Sequence, residues 1–141
     1  MAKSNHGRVG DALELLNRGL RPFVERELQA VHGDQWQEMV AQTLREDRGA
    51  VKATKKGELN WDTHNLLTVM WDQWNAVFRN TLGHTERSLV SELRDVRNRW
   101  AHQTPFSSDD AYRALGSIGR LLTAISAPEA KELEEQKMAL L

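Results

Sequence analysis

Apolar residues recur at steps of three and four along most of this chain, the repeat of an α-helix that buries one face. From Arg8, the residues Val9, Leu13, Leu16 and Leu20 step at four, three and four. Pro22 interrupts that face, and Phe23, Val24, Leu28 and Val31 resume it. Either one helix kinks at Arg21-Pro22 or two helices abut there, because proline removes a backbone donor and crowds the preceding turn. Gly33 ends the segment, and the polar residues 1–7 before it are expected to fray. A shorter helix is expected over 35–46, with Trp36, Met39, Val40 and Leu44 inward. Residues 47–60 hold Gly49, Gly57, Lys52, Lys55 and Lys56 and little that is apolar, which reads as the longest loop.

The second half continues the same repeat. Asp62 is a suitable N-cap for a helix running to about residue 82, with Leu67, Met70, Trp74, Val77 and Phe78 as its buried stripe and Gly83 closing it. Thr85 is the expected cap of the next helix, where Leu89, Leu93, Val96 and Trp100 fall on one face. Pro105 biases Thr104 away from helical geometry, so that helix must stop between 101 and 103. Ser107 or Ser108 caps the last core helix, with Asp109 and Asp110 at the positive end of its dipole. Its stripe is Ala111, Leu115, Ile118, Leu122 and Ile125. Beyond Pro128 the apolar face thins. No strand-like alternation and no repeat is present. The fold expected is all-α: an antiparallel helical bundle of about five main helices over 1–126, then a C-terminal lead-out helix or linker over 127–141.

A chain of 141 residues supports one domain with a sizeable core. Lys+Arg 19 against Asp+Glu 20 leaves a net charge of -1, so any contact with nucleic acid must come from a local patch. There is no cysteine, which removes disulfides and thiolate chemistry. Neither a secretory signal nor a membrane-spanning run is visible, and the expected home is the cytoplasm, with no membrane partner. His6, His32, His64, His84 and His102 are scattered without ligand spacing, so no metal and no cofactor is expected. Of the five tryptophans most should be core, with Trp61 and Trp71 left as candidates for a partner surface.

The densest chemistry is Val96-Arg97-Asn98-Arg99-Trp100-Ala101-His102. At 100° per residue, Ser91, Asn98 and His102 face away from the buried stripe, and Arg97 lies at its border. Asn98 and His102 are one turn apart, whereas Arg97 and His102 point about 140° from each other on a regular helix. They converge only if the helix unwinds at its end or if a second copy supplies one of them. His102 stands at the negative end of the helix dipole, and Arg87, Arg94, Arg97 and Arg99 make the helix locally basic. An arginine fork suits phosphate, and a histidine can take a proton from a ribose 2′-hydroxyl. Spacing alone does not single this site out, since Arg79-Asn80-Thr81-Leu82-Gly83-His84 repeats the pattern. A solvent-facing histidine at a helix end is also, ordinarily, a cap or surface residue.

Arg97-Asn98-Arg99-Trp100-Ala101-His102, closing one helix before a turn and a final amphipathic helix, resembles the HEPN superfamily, whose motif is an arginine, a polar residue and a histidine four to six positions on. Val9-Gly10-Asp11-Ala12-Leu13, Pro22-Phe23-Val24-Glu25-Arg26-Glu27-Leu28 and Asp109-Asp110-Ala111-Tyr112-Arg113-Ala114-Leu115 extend the resemblance to the N-terminal HEPN domains fused to large bacterial ATPases, helicases or nucleases of defence systems. The resemblance implies a metal-independent endoribonuclease, or an RNA-binding domain, that works as a homodimer within a larger parent chain in defence or RNA processing. It assigns catalysis to Arg97, Asn98 and His102, with Arg94 and Arg99 as RNA contacts, and it favours the second copy of the motif over the first. Position 104 is Thr, not the tyrosine of the nucleotide-regulated toxin branch. The alternative is a non-catalytic helical dimerisation or docking module.

Overall fold

A computed structural model describes residues 3–46, 52–53 and 59–141. The elements are α1 (Asn5–His32), α2 (Trp36–Glu46), β1 (Lys52–Ala53), β2 (Leu59–Asn60), α3 (Thr63–Asp72), α4 (His84–Ala101), α5 (Ser108–Ala124) and α6 (Glu129–Met138). The all-helical bundle of five helices plus a C-terminal one is therefore present, and the one addition is the antiparallel β1–β2 pair. The rest of the loop expected over 47–60 lies outside the described residues. Among the described residues, no helix is long and apolar enough to cross a membrane.

α1 is the axis of the bundle and packs against every other helix. It starts earlier than expected because Ser4 caps it, its hydroxyl accepting the Gly7 N–H at 3.0 Å. Pro22 lies inside it without splitting it in two. Phe23, Val24 and Leu28 beyond the proline are buried, so tertiary packing holds the second half in line despite the lost backbone bond. Gly19 sets the closeness of α1 to α5: a Cβ there would come within 2.4 Å of Leu122 Cδ2. The lead-out segment forms α6, which lies against α1 and α5 with Leu133 fully buried.

Three local expectations are corrected. The helix capped by Asp62, whose side chain accepts the Asn65 N–H, stops at Asp72 and does not reach residue 82. Beyond it the chain stays wound, but Phe78 and Arg79 donate to carbonyls five residues back, a wider turn that still buries Trp74, Val77 and Phe78. The periodicity foretold the burial and missed the change in winding. The Gln73 side chain marks that change, donating to Thr43 Oγ1 and meeting His32 Nε2, both at 3.1 Å. Next, α4 begins at His84 and not after Thr85, because Glu86 reaches back to accept the Gly83 N–H at 2.9 Å. Finally, Trp61 is core and not a partner surface: its indole N–H donates to Glu25 at 3.3 Å, leaving 2% of the residue exposed.

Candidate nucleic-acid interface on α4

α4 has two unlike sides. Leu89, Val90, Leu93 and Val96 are buried against the bundle. On the other side Ser91, Asn98 and His102 are exposed, as their helical phase requires. Arg97 is half-buried at the border and lines a groove with Gly10, Glu14, Asn17, Asp62 and Trp100.

The C-terminal end of this helix is clamped by the start of α1. His6 stacks on Trp100, with ring centroids 5.3 Å apart and planes inclined by 12°. Its Nε2 lies 2.9 Å from the Trp100 carbonyl oxygen, and since a carbonyl can only accept, that nitrogen carries the proton. In return the Trp100 indole N–H donates to the His6 carbonyl at 3.2 Å. Gly10 makes the approach feasible, since a Cβ there would stand 2.9 Å from Trp100 Nε1. Asn5 donates to the Phe106 carbonyl at 3.1 Å, tying down the following turn as well. None of this was visible in the sequence, where His6 is a lone histidine in a polar stretch.

α4 ends in a Schellman motif. Thr104 N–H bonds the Arg99 carbonyl, Gln103 N–H bonds the Trp100 carbonyl, and Gln103 takes the left-handed φ of 57°. His102 is the capping residue and still donates its N–H to the Asn98 carbonyl at 3.0 Å. The helix thus stays regular through Ala101, and no unwinding brings Arg97 round to His102. Asn98 and His102 share a face one turn apart; Arg97 points elsewhere, and His102 is absent from its groove.

The arginines divide by what they touch. Arg99 lies 3.4 Å from both Asp110 Oδ2 and the Pro105 carbonyl and sits 4.8 Å over the Phe106 ring, bracing the turn into α5. Arg113 donates to Glu92 at 2.8 Å. By contrast Arg87, Arg94 and Arg97 have no carboxylate within ion-pair distance among the described residues. Arg87 and Arg94 instead lie over the half-buried ring of Trp71, 4.8 and 5.9 Å from its centroid.

Two carboxylates fix the helix to α5. Burial opposes ionisation of Glu92, but hydrogen bonds from Ser117 and Arg113, with the charges of Arg113 and Arg120, outweigh it and hold the carboxyl below its ordinary value. Asp110 is lowered too, first by the Ser107 backbone N–H, then by the Ser107 hydroxyl and Arg99.

The first copy of the motif is built differently. Arg79 and Asn80 lie in a single 3-10 turn, Phe78–Asn80, while His84 opens α4 beyond Gly83. All three are exposed, but no continuous helix relates them.

A helical bundle whose penultimate core helix ends in a free Asn98/His102 face, with Arg97 at its edge, is the arrangement expected of a HEPN domain. Residues 11–126 match the model of the Swt1-like HEPN family, and the chain belongs to that family. Membership points to an RNA-cleaving or RNA-binding kind of function. No curated protein and no solved structure matches the chain.

Proposed function

We propose that the domain is a metal-independent endoribonuclease acting as a homodimer, with each composite site taking Arg97 from one chain and His102 from the other. The observation that carries this reading is the regularity of α4 to Ala101, which leaves Arg97 and His102 about 140° apart on one chain. A two-fold partner facing the exposed side of α4 supplies the missing member. His102 takes the proton of the 2′-hydroxyl, O2′ attacks its own phosphorus, and the P–O5′ bond breaks. The leaving oxygen is then protonated, and the product ends in a 2′,3′-cyclic phosphate. Arg97 offsets charge on the phosphorane-like transition state, and Asn98 orients the imidazole from one turn away. Arg94 lies on the same side of α4 as Asn98 and reaches the strand; Arg99, drawn to Asp110, serves RNA through the turn it braces. The setting we propose is a larger chain in bacterial defence or RNA processing.

The test is complementation in excess chelator. Arg97→Ala and His102→Ala are each inactive alone. Mixed and allowed to exchange subunits, half the dimers are mixed and hold one intact site of two, so about a quarter of wild-type cleavage returns. Failure of the mixture to recover, with both variants folded and dimeric, would sink the shared site.

A second reading, a non-catalytic docking or dimerisation module, draws on one observation. Glu14 and Asp62 share the groove with Arg97, and two carboxylates repel a phosphate there. On that reading RNA is not cut, and any RNA binding ignores Arg97→Ala.

A further inference from the structure

Arg87, Ser91, Arg94, Asn98 and His102 step along α4 at four, three, four and four, so one polar stripe runs from the first turn of the helix to the motif. At its N-terminal end Trp71, His84, Arg87, Ser88 and Ser91 line a shallow depression of about 440 Å³. Four other depressions on the described surface each include a carboxylate: Glu134, Asp72, Glu14 with Asp62, and Asp11. This one has none. It offers an indole, an imidazole, two hydroxyls and a guanidinium whose Nε is buried with no hydrogen-bond partner. The acidic residue closest in phase to the stripe is Asp95, more than two turns from Arg87 but next to Arg94 and one turn from Asn98, so the stripe is free of carboxylates at its N-terminal end and not along its whole length.

We propose that Arg87 and Arg94, braced on the ring of Trp71, bind the phosphodiester backbone of a single RNA strand that runs along α4 to His102. The proposal builds on the RNA reading above and adds a binding site away from the motif. Seven residues separate the two arginines, about 10 Å along the helix, and His102 lies about 12 Å beyond Arg94. A guanidinium lying over an aromatic ring keeps the edge of its planar fork free for phosphate while losing little further side-chain freedom. Trp71 thus positions the arginines, and the Ser88 and Ser91 hydroxyls add donors without charge.

The probe is a fluorescent single-stranded oligoribonucleotide carrying 2′-O-methyl groups, which binds without being cut, titrated by anisotropy at several salt concentrations. Arg87→Gln should weaken binding roughly tenfold and lower the salt slope by about 1, because one phosphate contact is gone. Arg87→Lys should keep the slope and still bind more weakly than wild type, since an ammonium retains the charge without the stacked fork. With a cleavable strand, Arg87→Gln should raise KM and leave kcat unchanged. If wild type binds and cuts RNA while Arg87→Gln matches it in affinity and slope, this site is overturned and the cleavage reading stands. If wild type does not bind RNA at all, both fall together.

Discussion

The same Arg-Asn-x-x-x-His pattern runs into the start of α4 and closes its end, and the two copies make different structures from it. At the C-terminal end, Arg97, Asn98 and His102 ride one regular helix, so their relative directions are fixed. At the N-terminal end, Gly83 and a 3-10 turn stand between Arg79 and His84, and helical phase says nothing about them. The surroundings differ as well. The C-terminal end is clamped by His6, Trp100, Asn5 and Arg99, whereas the N-terminal end lies open beside Trp71. A spacing motif therefore carries information only when the element beneath it is continuous and held.

The comparison breaks most directly on the two histidines. His102→Ala should lower cleavage at saturating RNA by at least about 100-fold, the scale expected for removing a general acid or base. His84→Ala should leave that rate within about twofold and act on KM, since His84 borders the proposed phosphate site. Single-turnover cleavage in excess chelator measures both. Equal losses in the two variants would mean that position on α4 does not discriminate the copies.

Two glycines test the clamp itself. Gly10→Ala places a Cβ 2.9 Å from a Trp100 ring that is stacked on His6 and hydrogen-bonded to its carbonyl, so the ring cannot swing aside freely. The expected cost is about 1 to 3 kcal/mol in urea unfolding, with cleavage falling alongside as the end of α4 shifts. Gly83→Ala, at the other end, meets only Glu86 Oε1 at 3.7 Å. With that space free, the cost is that of replacing a glycine N-cap by alanine, about 0.5 to 1 kcal/mol and less than that of Gly10→Ala. An effect of opposite sign belongs to Gln103. Its left-handed φ is strained for any residue with a Cβ, so Gln103→Gly should stabilise the domain by up to about 1 kcal/mol, read as a rise in Tm.

Much of the fold was legible because helix-forming and burial signals agree along most of the chain. Caps at Asp62 and Ser107 and the stop before Pro105 follow from local chemistry alone. The end of α3 was not legible, because a turn closed by bonds five residues back buries nearly the same positions as a helix. Trp61 misled because the acceptor that satisfies its buried indole N–H is Glu25, thirty-six positions earlier. Of the site, the motif and its directions were readable from helical phase. The His6 clamp, the division of arginines between Arg99 at the turn and Arg87 on Trp71, and the Gln103 conformation depend on contacts distant in sequence or on backbone without a glycine signal.

The pH dependence of Glu92 separates what holds α4 as a whole from what holds only its C-terminal end. Glu92, in the middle of the helix, is tied to α5 by the buried Ser117 hydroxyl at 2.5 Å and by Arg113, with 28% of its side chain exposed. Its folded carboxyl is lowered, so the ionised form adds stability that is complete above the ordinary carboxylate range and is lost as pH falls through the folded value. Ser117→Ala should therefore cost about 1 kcal/mol near pH 7. As pH falls through that lowered value the difference should shrink, because a protonated Glu92 accepts a weaker, neutral hydrogen bond. Asp110 is lowered in the same direction, but 45% of its side chain is exposed against 28% for Glu92, so solvent screens its ties more and Asp110→Asn should alter the acid limb less than Ser117→Ala does. Thermal melts of the three proteins between pH 3 and 7 measure this. A Ser117→Ala deficit that stays constant across the range would show that the hydroxyl's contribution does not depend on the charge of Glu92, leaving Arg113 as the charge-dependent tie between α4 and α5 at its centre.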